Sequence, residues 1–162
     1  MINAHKSYCI IIVEEDESVY RKIVSALEKT GGQHHVRRVT RQEDLDDELV
    51  ELAPDFVICD HSRSPWNSFA VLEQVRAFQP TMPFAVIGGD LDDGLHASLK
   101  ANGVDTCVDD SRLSELLPAV EGMLHRHEER QRLCVEEIRR NLTHDEPASP
   151  QAHRRILRFR TG

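Results

Sequence analysis

Short apolar runs alternate along the chain with segments whose apolar residues recur every three or four positions. The runs predict strands, because four to eight apolar residues bounded by turn signals are typical of a buried strand. The periodic segments between them predict amphipathic helices. The predicted strands are Tyr8–Val13, Val36–Val39, the run from Phe56 to Asp60, Phe84–Ile87 and Val104–Val108, and the predicted helices cover about 18–29, 45–52, 69–78, 92–101 and a last stretch from Arg112 onward.

This alternation predicts parallel strands joined by helical crossovers, with helices on both faces of one sheet. Four of the strands are mainly apolar, so we expect them to be buried on both faces. The strand Val36–Val39 is short and polar, and we expect it at or near an edge. We therefore predict a doubly wound, flavodoxin-like (CheY-like) α/β fold with a five-stranded parallel sheet and an extended C-terminal helix.

Local signals place the ends of several helices. Gly31-Gly32 is expected to end the first helix. The stretch Thr40-Arg41-Gln42-Glu43 has the spacing of a capping box and is expected to start the second. Ser111 is expected to cap the last helix, which would begin near Arg112.

Acidic side chains follow two of the predicted strands at the point where each strand ends. Asp60 closes the run from Phe56, and Glu14-Glu15 comes directly after Val13. Ligands of open α/β sheets bind at the carboxyl ends of the strands, where these carboxylates would meet. Such a cluster can hold a hard cation, so Glu14, Glu15, Asp60 and the neighbouring Ser62 are candidates for an Mg²⁺ pocket. Asp60 is then a candidate acceptor for a phosphoryl group.

The order and spacing of these residues resemble the receiver domain of two-component response regulators, over roughly residues 7–126. The resemblance makes Glu14-Glu15 the acidic pair of that family and Asp60 its phosphoacceptor. Pro65 corresponds to the family's loop proline, one residue later than usual, and Gly103-Val104 to its Gly-Ala before the fifth strand. It implies a non-enzymatic signalling module, with Mg²⁺ as the cofactor and a histidine kinase as a partner.

Finer features resemble a subgroup of receivers that is often fused to PAS, GGDEF or EAL domains. They are Asp60-His61-Ser62 at the start of the loop, Pro83-Phe84 before the fourth strand, Gly89 after it, and Leu116-Leu117-Pro118-Ala119-Val120-Glu121 in the last helix. The resemblance makes cyclic-di-GMP enzymes or their inactive relatives plausible downstream partners.

Two positions depart from the family pattern where its chemistry takes place. The family's Ser/Thr after the fourth strand falls on Gly88, which has no hydroxyl to bond a phosphoryl group. The family's lysine after the fifth strand falls on Asp110, whose like charge would cost about 1–4 kcal/mol at contact distance. Glu15 also stands where a shorter aspartate usually binds the metal. The phosphorylation switch is therefore expected to be impaired or absent.

Other interpretations of these residues remain. Glu14 to Glu17 could be the solvated start of a helix, where negative side chains interact favourably with the helix dipole. Asp60 could simply be the residue that ends a strand. His61 and Ser62 beside Asp60 resemble part of a hydrolase triad, although neighbouring residues point in different directions. Gly88-Gly89 could approach a phosphate, but lacks the spacing of a nucleotide-binding loop.

The last helix is longer than this fold needs. A pattern without proline after Pro118 extends from Arg112 to Leu142, and about 30 residues would span about 45 Å. We expect a homodimeric coiled coil or stalk over residues 112–142; the alternative is a helix that folds back on its own domain or frays. The seam is expected at Leu117, Val120, Leu124, Cys134 and Ile138, with polar residues between.

The composition changes after Asn141. Residues 143–162 form a linker with Pro147 and Pro150, followed by a tail in which arginines surround Ile156, Leu157 and Phe159. The tail could start a downstream domain; it could also be a disordered end or a small anion-contact patch.

Composition limits the class of protein. A net charge of −8 argues against nucleic acid as a main partner, because phosphate contacts need a basic face. No apolar stretch approaches the roughly 20 residues of a membrane span, and the start lacks a signal peptide, so we expect a cytoplasmic protein with no membrane partner. The four cysteines, none in a C-x-x-C pair, are expected to be small buried residues.

The sequence thus predicts an atypical receiver domain that acts as a regulatory or dimerising module of a larger cytoplasmic regulator. The alternative is a working phosphoacceptor that takes phosphate on Asp60 from a histidine kinase with Mg²⁺. A free-standing hydrolase is a third and weaker hypothesis.

Overall fold

The computed structural model describes residues 6–29, 31–61 and 67–143 of the chain. Its internal contacts divide the chain into two units, one up to His127 and one from Glu128, which are described separately. Ser62, Pro65 and the predicted tail from residue 144 lie outside the described residues.

One parallel sheet forms the centre of the first unit. Its strands are β1 (Cys9–Val13), β2 (His35–Val39), β3 (Phe56–Asp60), β4 (Phe84–Gly88) and β5 (Thr106–Asp109). They lie side by side in the order β2-β1-β3-β4-β5, so β2 is an edge strand as expected. Val13 pairs with Cys59, Asp60 with Ile87 and Gly88 with Asp109. This register brings the carboxyl ends of four strands to the same edge of the sheet.

Five α-helices follow the strands in turn. They are α1 (Glu17–Glu28), α2 (Leu45–Leu52), α3 (Ser68–Phe78), α4 (Asp93–Ala101) and α5 (Leu116–Thr143). Side chains cap three of them: Asp16 accepts from the N–H groups of Ser18 and Val19, Asn67 from Phe69, and Asp92 from Leu95. Gly103 ends the turn after α4 with φ of 96°, a conformation that glycine adopts without strain.

The two faces of the sheet are packed by different helices. Ile10 and Ile12 pack with apolar residues of α1 and α5, whereas Ile11 and Val13 pack with those of α2 and α3. Alternate residues of each strand thus point to opposite layers, and both layers are apolar. The doubly wound, flavodoxin-like fold with its long last helix is confirmed.

The first half of α5 belongs to this core. Leu117 and Leu124 are each 7% exposed and Val120 is 1% exposed, and all three pack in the layer that also holds Ile10. These residues were expected to form the dimer seam, and for them that prediction is wrong. The apolar face that the sequence pattern detects there is buried against the helix's own domain.

The second half of α5 is exposed to solvent from Glu128 to Thr143. Cys134 is exposed, as is Ile138, and the expectation that every cysteine is buried is wrong for Cys134. None of the described helices, α5 included, has an apolar stretch that could cross a bilayer.

Two helix starts also differ from expectation. No side chain caps the turn after Arg41: a 3-10 turn over Gln42–Asp44 leads into α2, and Arg41 forms an ion pair with Asp44. The capping box is therefore not formed. At the last helix, a 3-10 segment covers Asp110–Glu115 before α5 begins at Leu116.

The cap of that 3-10 segment is Asp109 instead of Ser111. The Asp109 carboxylate accepts from the backbone N–H of Ser111 at 2.9 Å. Arg112 interrupts the helical geometry, with φ of −121° and ψ of 41°, so a regular α-helix cannot begin there.

We predict that Leu124→Ala lowers the free energy of unfolding by about 2–4 kcal/mol, because it leaves a cavity in the core. The matched control is Leu133→Ala, which truncates a leucine of the same helix that is 59% exposed. The control should change stability by less than about 0.5 kcal/mol. Urea unfolding at one protein concentration measures both, and equal losses would contradict the assignment of Leu124 to the core.

Candidate functional site at the carboxyl edge of the sheet

Two carboxyl side chains are buried where β1 and β3 end. Asp60 is the last residue of β3, and Glu14 comes directly after β1. Each is only 1% exposed. Because β1 and β3 are neighbours in register, the two residues that close them lie next to each other. The expected proximity of Glu14 and Asp60 follows from this pairing.

Main-chain bonds hold Glu14 in place. Its N–H donates to the carbonyl of Val39 at 3.1 Å, and its Oε1 accepts from the N–H of Asp16 at 2.7 Å. Arg38 donates to the carbonyl oxygens of Glu14 and Glu15, and its guanidinium lies 5.4 Å from the Tyr20 ring centroid. The nearby cation therefore bonds the backbone of this loop, while the N–H of Asp16 bonds the Glu14 side chain itself.

Burial raises the pKa of Glu14 from its ordinary 4.5 to about 7. A hydrogen bond with Asp60 and the negative charges of Asp60 and Asp16 also raise this pKa, whereas the N–H of Asp16 lowers it. Two ionised carboxylates cannot donate to each other, and Glu14 Oε2 is accordingly buried without a partner. Protonation of Glu14, which its raised pKa favours, would let Oε2 donate to Asp60.

The buried thiol beside this pair is affected in the same direction. Burial raises the pKa of Cys59, and the charges of Asp60 and Glu14 raise it further. Cys59 is therefore a neutral, apolar neighbour of the pair and not a reactive thiolate. The surroundings of the two carboxyl groups are dry and carry negative charge.

The other expected members of an Mg²⁺ pocket are not gathered here. Glu15 is exposed, while Glu14 and Asp60 are buried. Among residues 6–29, 31–61 and 67–143, no three His, Cys, Asp or Glu side chains group as a metal site needs. Mg²⁺ requires ionised oxygen ligands in octahedral geometry. Of the expected ligands, the described residues bring together Glu14 and Asp60, and Ser62 lies outside them.

Gly88 and Asp110 border the same edge from β4 and β5. Gly88 is the last residue of β4 and pairs with Asp109. Asp110 reaches across to the next residue, Gly89: its Oδ2 would lie 2.8 Å from a Cβ placed on that glycine. The carboxylate of Asp110 therefore occupies the space over Gly89, and an approaching phosphate would meet a like charge. This like charge argues against the nucleotide-binding interpretation of Gly88-Gly89.

His61 has a serine partner that the sequence interpretation missed. Its Nδ1 lies 2.5 Å from Oγ of Ser68, and its ring meets Phe69 edge to face at 6.5 Å. Ser68 is 0% exposed, so its hydroxyl cannot reach a substrate. The pair ties the end of β3 to the start of α3, and it does not support a hydrolase. The only advance signal was the Asn67-Ser68 dipeptide at a helix start.

Comparisons with known proteins bear on the fold of this site. No protein-family model and no curated protein matches the chain. The chain is similar to the signal receiver domain of a modulated diguanylate cyclase from Desulfovibrio desulfuricans, with 15% identity, a TM-score of 0.63, and coverage of 76% of this chain and 98% of that one.

Two further solved structures are similar. The N-terminal domain of the lantibiotic response regulator NsrR has 23% identity and a TM-score of 0.61, covering 72% of this chain and 97% of that one. A fusion that carries the trimeric coiled coil of yeast Spc42 has 17% identity and a TM-score of 0.65, covering 83% of this chain and 94% of that one. At these identities the likeness concerns the fold, which is that of response-regulator receiver domains.

We predict that Glu14→Gln flattens the pH dependence of stability. Because folding raises the pKa of Glu14 from 4.5 to about 7, its stabilising contribution is complete below about pH 4.5 and is lost as the pH rises through about 7. Glutamine stays neutral, can donate to Asp60 and can accept from the N–H of Asp16. Thermal melts between pH 5 and 8 should show a smaller decline for the variant and a higher Tm than the parent at pH 8.

The control is Glu15→Gln, the same change at the exposed neighbour. Its melting profile should keep the slope of the parent. If Glu14→Gln also runs parallel to the parent at every pH, folding does not raise the pKa of Glu14.

Proposed function

We propose that this chain is an atypical receiver domain: a regulatory module of a larger signalling protein in which the usual phosphorylation switch is impaired or absent. The observation that carries the proposal is the buried carboxyl pair Glu14–Asp60, with Asp110 beside Gly89 where the family's lysine would supply a cation.

Electrostatics supports an impaired switch. A phosphoryl group adds nearly two negative charges at neutral pH, and buried charge requires opposite charge or hydrogen-bond donors. The charges that act on Glu14 are those of Asp60 and Asp16, both negative. Arg38 bonds backbone carbonyls instead of the carboxyl pair. At Gly88, no side-chain hydroxyl is available to bond a phosphoryl oxygen.

The alternative is a working phosphoacceptor on Asp60, with phosphate from a histidine kinase and Mg²⁺ bound together with that phosphate. The position of Asp60 at the end of β3, where the receiver resemblance places the acceptor, favours this alternative. The two hypotheses differ in whether Asp60 reacts, so a direct phosphorylation assay separates them.

The module would act through a downstream domain and through a second copy. We propose that α5, which continues to Thr143, links the domain to an output of the PAS, GGDEF or EAL type and dimerises through its exposed part. One similar solved structure supports a fused output domain, because it is the signal receiver domain of a modulated diguanylate cyclase. Such a regulator would work in the cytoplasm.

We predict that Asp60 is phosphorylated slowly or not at all. Beryllofluoride with Mg²⁺ should leave the amide NMR spectrum unchanged, and acetyl phosphate should leave the intact mass unchanged, because position 110 carries a carboxylate and Arg38 bonds backbone carbonyls. An unrelated receiver with its lysine present serves as the positive control. Rapid stoichiometric labelling that Asp60→Asn abolishes would establish the working phosphoacceptor instead.

We also predict that Asp110→Lys stabilises the domain by about 1 kcal/mol, because a cation then faces the buried acids. Asp110→Asn is the control that removes the charge without adding one, and it should give a smaller gain. Thermal melts of the three proteins at pH 8 measure the effect. Clear destabilisation by lysine, with a neutral effect of asparagine, would show that position 110 does not act on the acidic pair.

A further inference from the structure

The exposed part of α5 carries an apolar stripe. Val135, Ile138 and Leu142 are 48%, 53% and 72% exposed. Their spacing of three and four residues places them on one side of the helix, and Gln131 extends the same side by one turn. We call Gln131, Val135, Ile138 and Leu142 the distal stripe. Leu133 is also exposed but lies on the opposite side of the helix.

The distal stripe is not the seam that the sequence pattern indicated. That seam continued from Leu124 through Gln131 to Cys134, Ile138 and Asn141. Gln131 and Ile138 fit both patterns, so spacing alone does not choose between them. The exposed large side chains distinguish the two patterns. The distal stripe contains three exposed aliphatic side chains, Val135, Ile138 and Leu142, whereas the other pattern contains Ile138 and the smaller Cys134.

We propose that the distal stripe pairs with the same stripe of a second copy of this chain, in parallel and in register. The inference rests on the dimerisation included in the proposed function, and it specifies the contact surface and its direction. Leu117, Val120 and Leu124 are already buried in the domain core, so the contact is restricted to about two heptads after Glu128.

The charged residues beside the distal stripe favour a parallel over an antiparallel pair of helices. If Val135 and Leu142 occupy the a positions of a heptad and Ile138 the d position, Arg132 and Arg139 both fall on e. In an antiparallel pair e faces e, so Arg132 of one copy would lie against Arg139 of the other, twice per dimer. In a parallel pair e faces g, which places Arg139 beside the uncharged Cys134 of the second copy.

Self-pairing also accounts for the composition of the stripe. Three aliphatic side chains of the stripe are exposed among the residues that the structure describes, so burial by a partner would stabilise them. In an in-register pair, each aliphatic side chain of the stripe packs between side chains of the second helix, as in a coiled coil. The contact has only three aliphatic layers, so we expect association in the micromolar range and not a permanent dimer.

The molecular mass of the full chain in solution tests whether the distal stripe is the contact surface. Sedimentation equilibrium between about 5 and 200 micromolar should show a reversible monomer–dimer equilibrium. Ile138→Asp should weaken association at least tenfold, whereas Leu133→Asp, with the same change on the opposite face, should leave it within about twofold. Circular dichroism confirms that both variants keep the helix content of the parent.

Disulfide trapping tests the direction. In a Cys134→Ser background, Ile138→Cys chains should cross-link on oxidation, because identical d positions face each other only in a parallel pair. Leu133→Cys in the same background is the control and should not cross-link. An antiparallel pair would give the opposite result: cross-links when Val135→Cys and Ile138→Cys chains are mixed, and none with Ile138→Cys alone.

The outcomes separate this inference from the proposed function. A parent chain that is monomeric at 200 micromolar overturns both the stripe and the dimerisation. A dimer that survives Ile138→Asp overturns the stripe and leaves dimerisation through another surface. A dimer that cross-links only in the mixed experiment overturns the parallel direction alone.

Discussion

The pairing of β1 with β3 is the constraint on which the site depends. Both strands are buried on both faces. Val13 pairs with Cys59, so the two strands end beside each other. Glu14 and Asp60 therefore meet in a region of low polarity, whatever else the loops contain. Two carboxylates in that position cannot both stay ionised at low energetic cost, so burial and the neighbouring charge raise the pKa of Glu14. The chemistry of the edge follows from this backbone arrangement.

The raised pKa of Glu14 affects the charge of the acidic edge. With Glu14 protonated, the pair carries one negative charge, and Oε2 of Glu14, which has no partner in the structure, could donate to Asp60. Arg38 and the N–H of Asp16 hold the loop that follows β1. The charge of the pair therefore depends on pH near neutrality, while the backbone around it is held by separate hydrogen bonds.

Much of the fold could be predicted from the sequence, because most strands are apolar runs and the helices have a clear period. Strand boundaries agree with the structure to within about two residues, as at β1 and β5. The adjacency of Glu14 and Asp60 could also be predicted, since parallel topology determines it. The 3-10 segment Asp110–Glu115 could not, because its cap Asp109 and the irregular Arg112 give no periodic signal.

The seam of α5 shows why other features could not be predicted. Spacing of three and four residues is the same for a helix that packs on its own domain and for one that packs on a second chain. Leu124 and Ile138 belong to one continuous pattern, yet one is in the core and the other in solvent. Only tertiary burial distinguishes them. The bond between His61 and Ser68 is likewise a contact across a loop, which no local pattern encodes.

The contact between Asp110 and Gly89 has a consequence for how this protein can change over evolution. A Cβ at position 89 would lie 2.8 Å from Oδ2 of Asp110, so a replacement of Gly89 requires the Asp110 carboxylate to turn away. The residue at position 89 therefore influences where the charge at position 110 points, and the two positions should vary together among related sequences.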